Sequence, residues 1–167
     1  MFTCVKQFVD QWSNESTATE RIMNTLTDAS LKQEIAPDHR SLGQLAWHLV
    51  HSIHEMLTRT GLKFEAPGDE HHVPQSAAAI ADAYRQTSQA MLKAIQEQWT
   101  DENVGQSSDM YGEQWPNGLT LRVLIQHEVH HRGQMTVLMR QAGLRIPGMY
   151  GPTREDWLEL GMQPPVV

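Results

Sequence analysis

Apolar residues recur at helical spacing in four long segments, and this periodicity constrains the fold of the chain more than any other feature. The segments cover residues 2–27, 41–60, 75–99 and 120–141. In each one, apolar residues return mainly every three or four positions, which places them on one face of a helix. No segment shows the period of two that marks a half-buried strand. The sequence therefore predicts an all-α fold, a four-helix bundle with long connections.

Local signals predict where the helices begin and end. Ser41–Gln44 reads as a capping box that opens the second helix, and Thr120 is predicted to cap the fourth. Gly143, just beyond Gln141, is a typical helix stop. The polar segment 100–118 is predicted to be a loop; strands are possible there, but no sheet is predicted. A short C-terminal helix is expected at Thr153–Leu160.

Length and composition exclude several classes of protein. The 167 residues suit one domain spanning 1–167, and 13 basic against 20 acidic residues give a net charge of −7. This balance argues against nucleic acid or an anionic membrane as partner. A single cysteine, Cys4, excludes an intrachain disulfide and fits a reducing compartment. We find neither a signal-peptide pattern nor an apolar run of transmembrane length, so we expect a cytoplasmic location.

The segment His127–Gln134 carries the strongest chemical signal, with three histidines in five residues. His127 and His131 are four apart, so on a helix both imidazoles leave the same face. Leu124 and Leu138 share that face, which predicts that the pair points into the bundle. Two imidazoles at this spacing are half of a transition-metal site. The alternative, two polar residues on a wet helix face, fits the apolar neighbours poorly.

A third ligand has to come from another helix, since bundle interiors build metal sites from facing helices. The second helix offers His48, His51 and His54. His48 lies in the apolar run Leu45–Leu49, and His51 is its main substitute. For each of these residues the alternative is a histidine that packs in the core or lies at the surface without binding metal.

Three blocks of sequence together resemble the DinB/YfiT-like family of metal-binding four-helix bundles. They are Ser41–Leu49, His127–Gln134 and Gly143–Pro152, and the resemblance covers nearly the whole chain. It implies that His48, His127 and His131 bind one divalent metal ion, with zinc or nickel expected. It also implies a homodimer in many cases. Characterised relatives include thiol-dependent S-transferases and an isomerase that uses a low-molecular-weight thiol, so the resemblance identifies the site better than the substrate.

Three imidazole ligands leave a metal with open coordination positions, and this permits three functions. A bound thiol would lose its proton and attack an electrophile, which predicts a thiol S-transferase acting on small electrophiles, with a low-molecular-weight thiol as partner. A metal-bound water would instead predict a hydrolase. A non-enzymatic, stress-associated protein whose metal stabilises the bundle is the third interpretation. We prefer the first.

Residues beside the ligands have weaker assignments. His127-Glu128-Val129-His130-His131 matches the H-E-x-x-H pattern of zinc peptidases, but the chain lacks the rest of that motif and the expected strands. Glu128 is therefore predicted to orient a ligand or form a salt bridge. Gln134 is predicted either to support a ligand or to pack against a helix. His130 is expected at the surface or behind a ligand, and Arg132 is expected to be a surface charge.

Overall fold

The computed structural model describes residues 1–166, so the predicted domain end at Val167 lies outside the described residues. Within this range the chain forms six α-helices and one β-hairpin. A single turn of 3-10 helix, Ser30–Lys32, precedes the second helix. The elements are α1 Val5–Met23, α2 Leu42–Thr58, α3 Ala77–Gln98, α4 Asp101–Gly105, β1 Ser107–Met110, β2 Glu113–Pro116, α5 Asn117–Gln141 and α6 Arg154–Glu159.

The four long helices α1, α2, α3 and α5 form the predicted bundle. Helix α2 packs against α3 and α5, and α1 packs against the same two helices, so α1 and α2 lie across the bundle from each other. The all-α prediction is confirmed. The largest fully buried side chains come from the long helices and the residues next to them: Phe8, Trp12, Ile22, Met23, Leu42, Leu49, Ile53, Leu57, Leu62, Ile80, Tyr84 and Arg132.

Side-chain caps fix where two of the predicted helices begin. The Ser41 hydroxyl accepts a hydrogen bond from the Gln44 amide, and the Gln44 side chain accepts one from the Ser41 amide at 2.8 Å. This reciprocal pair satisfies amides that have no partner in the first turn, and it confirms the predicted capping box. Thr153 caps α6 in the same way with Asp156. The short C-terminal helix is thus where it was expected.

Segment 100–118 departs from the prediction of a loop without a sheet. It contains α4 and an antiparallel hairpin in which Ser107 pairs with Pro116 and Met110 with Glu113. Tyr111 and Gly112 form the turn, with φ of 61° and 89°. Two successive positive φ angles match the twist of a two-residue hairpin. Each strand has only four residues and is largely exposed, so the burial that produces a period of two is missing.

The predicted start of the fourth helix was also wrong. Helix α5 begins at Asn117, directly after Pro116, and Thr120 is a fully buried residue within it. The Asn117 side chain donates to the Asn103 carbonyl at 2.9 Å and accepts from the Ser108 hydroxyl at 2.8 Å. Because these contacts come from the preceding hairpin and α4, the start of the helix is set by tertiary structure and not by a local cap.

The N-terminus closes over the start of α5. The Phe2 amide donates to the Gly118 carbonyl at 3.1 Å, and a Cβ at position 118 would lie 2.2 Å from the Phe2 carbonyl oxygen. Only glycine fits so close an approach.

Within residues 1–166, no helix has the combination of length and apolar character that a bilayer crossing requires.

Candidate metal centre

Three histidines from two facing helices converge on one point. His48 comes from α2, and His127 and His131 come from α5; one ring nitrogen of each lies within 4.8 Å of the others. His127 Nε2 is 3.1 Å from His48 Nε2 and 3.1 Å from His131 Nε2. All three side chains are partly buried. The structure therefore brings together the three residues that the sequence predicted as ligands.

The spacing of these nitrogens fits a divalent metal ion. Zinc–imidazole bonds of about 2.0–2.1 Å place two ligand nitrogens about 2.9 Å apart at a right angle and about 3.3 Å apart at the tetrahedral angle. The observed 3.1 Å lies between these values. Hydrogen bonds between the rings cannot account for both short distances. A hydrogen on His127 Nε2 can point to His48 Nε2 or to His131 Nε2, but not to both. A cation at the centre would satisfy three lone pairs at once.

Gln134 holds the ring of His131 in the orientation that ligation needs. His131 Nδ1 lies 2.7 Å from Gln134 Oε1 and donates to it, which leaves the lone pair on Nε2 facing the cluster. The Gln134 amide nitrogen in turn lies 3.2 Å from His130 Nε2. Metal-ligating histidines commonly have such a partner behind them. Of the two roles predicted for Gln134, this contact is the one that the support of a ligand would require.

Burial keeps the cluster neutral. It lowers the pKa of His48 to about 4, with the positive charge of Arg40 and the other histidines acting in the same direction. Burial also lowers the pKa of His127 to about 4, assisted by His131 and His130. The pKa of His131 is lowered too, again mainly by burial. Near neutral pH all three rings thus carry the free lone pair that metal binding requires.

Two charged residues of α5, Glu128 and Arg132, are buried on a side of the helix that faces away from the histidine cluster. The sequence analysis did not predict their burial. Glu128 and Arg132 are 1% and 2% exposed. Arg132 donates to the Glu15 carboxylate at 2.6 Å and to the Thr19 hydroxyl at 3.1 Å. The prediction of a surface charge at Arg132 was wrong, because α1 covers this face of α5 and supplies a carboxylate. The histidines consequently lie at the border of the buried face and not at its middle.

Glu128 faces the core and does not join the histidine cluster. Its carboxylate accepts a short hydrogen bond from the hydroxyl of Tyr84, a fully buried residue on α3. Burial raises the pKa of Glu128 to about 7, although the Tyr84 hydrogen bond opposes the shift. A peptidase base must reach water on the metal. The position of Glu128 supports the prediction that it does not act as one.

The remaining histidines lie outside the cluster. His51, the predicted substitute ligand, packs edge-on against Trp47 with ring centroids 4.7 Å apart. His54 Nε2 lies 3.2 Å from the Phe64 carbonyl oxygen and donates to it. His71 and His72 are exposed in the connection between α2 and α3.

The cluster borders a cleft of about 330 Å³ whose lining includes His48, Arg40 and His71. The Trp47 indole, which also lines this cleft, donates to the Asp69 carbonyl at 3.2 Å and ties the loop between α2 and α3 to α2. The sequence analysis did not identify Arg40 as a residue of the site. The one feature that could have done so is its position directly before the Ser41 cap, which places it at the end of α2 nearer to His48.

Fold and site together define a class of protein: a four-helix bundle with a three-histidine cluster that could hold a metal ion. The chain belongs to the DinB family, whose pattern matches residues 1–164. It is 48% identical over 165 residues to YrdA, an uncharacterised protein of Bacillus subtilis, and the match covers 99% of each chain.

Solved structures of DinB-like proteins have the same fold. A DinB-like protein from Bacillus cereus matches with a TM-score of 0.87 and 47% identity, covering 90% of this chain and 100% of that one. YjoA, a DinB-like protein of Bacillus subtilis, matches with a TM-score of 0.67 over 86% of this chain and 97% of its own. At 17% identity, the second match shows the fold alone.

Proposed function

We propose that this protein is a divalent-metal-dependent enzyme of the thiol S-transferase type, which acts on small electrophiles through His48, His127 and His131. The observation that carries the proposal is the convergence of three Nε2 atoms beside an open cleft. Within residues 1–166, no fourth His, Cys, Asp or Glu joins the cluster. Structural zinc sites are usually closed by four protein ligands, whereas catalytic sites keep a position free.

The thiol has to come from outside the protein. Cys4 lies at the N-terminal end of α1 and does not belong to the cluster. A divalent ion, zinc or nickel, would act as a Lewis acid that favours the thiolate form of a bound thiol. The relatives implied by the sequence resemblance, which use low-molecular-weight thiols, support the same chemistry, and they also motivate a proposed homodimer.

The protein's own residues would contribute orientation. His48, His127 and His131 hold the ion, and Gln134 fixes the direction of the His131 lone pair. The cleft beside His48 has room for a small molecule, and Trp47 and the loop bound to it form one wall. Holding the thiolate and the electrophile side by side removes much of the entropic cost of their encounter.

The test is a thiol panel with 1-chloro-2,4-dinitrobenzene as electrophile. In this reaction the thiolate sulfur forms a bond to the ring carbon, chloride leaves, and the thiol proton passes to solvent. We expect the zinc- or nickel-loaded protein to accelerate the reaction with at least one low-molecular-weight thiol. Metal-free protein and His127→Ala should give the background rate, while His54→Ala should behave as wild type.

Other outcomes would favour the alternative functions. Metal-dependent cleavage of esters or amides without any added thiol would favour a hydrolase that uses metal-bound water. Metal-dependent thermal stabilisation without turnover in either assay would favour a non-enzymatic, metal-binding, stress-associated protein. Either result would overturn the thiol-transferase proposal.

A further inference from the structure

Arg40 is a cation without a counter-ion beside the histidine cluster. Its side chain is exposed, and within residues 1–166 it forms neither an ion pair nor a side-chain hydrogen bond. By contrast Arg59, Arg85, Arg132, Arg140 and Arg145 each pair with a carboxylate. An unpaired guanidinium presents a planar set of donors that matches a carboxylate.

Two clefts of different character meet at Arg40. The first is the cleft of about 330 Å³ beside His48, where Gln44, Glu70 and His71 make the lining polar. We call it the polar cleft. The second, of about 290 Å³, is lined by Leu45, Val137 and Leu138 along with Gln134, and we call it the apolar cleft. Arg40 lines both.

The two clefts approach the cluster from different sides. His48 itself lines the polar cleft. The apolar cleft reaches the cluster through Gln134, the residue bonded to His131. A molecule in the polar cleft would contact His48, one of the three clustered histidines, while a molecule in the apolar cleft would contact Gln134.

We propose that Arg40 selects a thiol that carries a carboxylate, held in the polar cleft, and that the apolar cleft holds the apolar part of the electrophile. This inference rests on the proposed function. The thiol sulfur would lie at the cluster and the carboxylate at the Arg40 guanidinium. The two ends of the molecule are then fixed, which orients the sulfur toward the neighbouring cleft.

Arg40 places a positive charge beside the histidine cluster. It lines the polar cleft together with His48, and it lines the apolar cleft together with Gln134, which bonds to His131. The chain's net charge of −7 would repel an anionic ligand from most of its surface. Arg40 adds a positive charge to the lining of the polar cleft, which also contains the carboxylate of Glu70.

The experiment compares two thiols of equal length on zinc-loaded protein by titration calorimetry. The probes are 3-mercaptopropionate and 3-mercapto-1-propanol, which differ in the carboxylate. We expect wild type to bind 3-mercaptopropionate about tenfold more tightly, the size of one hydrogen-bonded charge pair. Arg40→Ala should lose the preference, and Arg40→Lys should recover part of it, because lysine keeps the charge without the planar fork.

Arg122→Ala is the matched control, because Arg122 is another exposed arginine without an ion pair and lies on a different face of α5 from the histidines. It should keep the full preference. Zinc content must be equal in all variants. A preference that persists in Arg40→Ala would show that the carboxylate binds the metal directly, and would overturn the inference while leaving the thiol function standing. Failure of both thiols to bind would overturn both.

The apolar cleft has its own test. Val137 is 49% exposed and lines that cleft, so Val137→Asp places a charge in it. We expect the KM for 1-chloro-2,4-dinitrobenzene to rise about fivefold, with the affinity for the uncharged 3-mercapto-1-propanol unchanged. Gln126→Asp, an exposed position on the same helix, is the control. An unchanged KM in Val137→Asp would overturn this assignment of the electrophile.

Discussion

Arg132 of α5 and Glu15 of α1 form an ion pair of 2.6 Å in which the arginine side chain is 2% exposed. The Tyr150 hydroxyl also donates to the Glu15 carboxylate, at 2.7 Å, which brings the segment after α5 to the same pair. Arg132 directly follows His131. The contact that fixes α5 against α1 therefore also fixes the helix that carries two of the three clustered histidines.

Arg132→Ala is expected to destabilise the fold by about 3–5 kcal/mol, because it leaves the carboxylate of Glu15 without its counter-ion in a largely buried position. Urea unfolding followed by circular dichroism measures the change. Arg122→Ala, at an exposed position on the same helix, should change the free energy of unfolding by less than about 0.5 kcal/mol. Equal effects of the two substitutions would contradict a structural role for the buried pair.

His48→Ala should sharply lower metal content while leaving helix content unchanged. The substitution removes one of the three converging nitrogens, and the capping box at Ser41 still starts α2. Elemental analysis after dialysis measures the metal, and far-UV circular dichroism measures the helix. His51→Ala, at a histidine on the same helix outside the cluster, should retain wild-type stoichiometry. Loss of metal in His51→Ala with retention in His48→Ala would reverse the assignment.

Gln134→Ala should weaken metal binding by about 10–100-fold, the usual effect of removing the partner that orients a ligating histidine. The physical reason is that the His131 Nδ1 hydrogen loses its acceptor at 2.7 Å, and the ring gains freedom. Competition with a chromophoric chelator measures the affinity. Gln134→Glu should restore or strengthen binding, since a carboxylate accepts the same hydrogen. An affinity unchanged in Gln134→Ala would show that packing alone orients the ring.

Metal affinity should fall at a pH below the 6.5 of a free imidazole, and most steeply as the pH approaches 4. Protonated imidazole cannot bind metal, and burial lowers the pKa of His48 and His127 to about 4. Equilibrium dialysis at a series of pH values measures the metal affinity. Because these pKa values lie below 6.5 in the folded state, metal-free protein should lose stability as the pH falls from 6.5 toward 4. A fall in affinity centred near pH 6.5 would indicate solvated histidines.

Glu128→Gln should change how stability depends on pH. The pKa of Glu128 is raised from 4.5 to about 7, so the folded state retains a proton that the unfolded state has released between these values. Wild type therefore loses stability as the pH rises through this window, by about 3 kcal/mol for a shift of this size. The glutamine variant, which keeps a hydrogen-bond acceptor for Tyr84, should not. Parallel stability curves for the two proteins would contradict the raised pKa.

The sequence by itself determined the bundle and the three clustered histidines. Helical periodicity is a local property, and so is the capping box at Ser41, because both depend on residues only a few positions apart. His127 and His131 share a helix face for the same reason. The choice of His48 over His51 and His54 needed the family resemblance, since all three lie on one helix and spacing alone left them open.

Tertiary structure alone decided what faces each side of α5 and where that helix begins. Arg132 was predicted to be a surface charge, and Glu128 to orient a ligand or form a salt bridge. Both are buried instead, because Glu15 and Tyr84, distant in sequence, supply hydrogen-bond partners for them. Thr120 has the chemistry of a cap, but the hairpin and α4 start the helix three residues earlier. Burial and hydrogen bonding between distant segments depend on packing, and no pattern within a single helix records them.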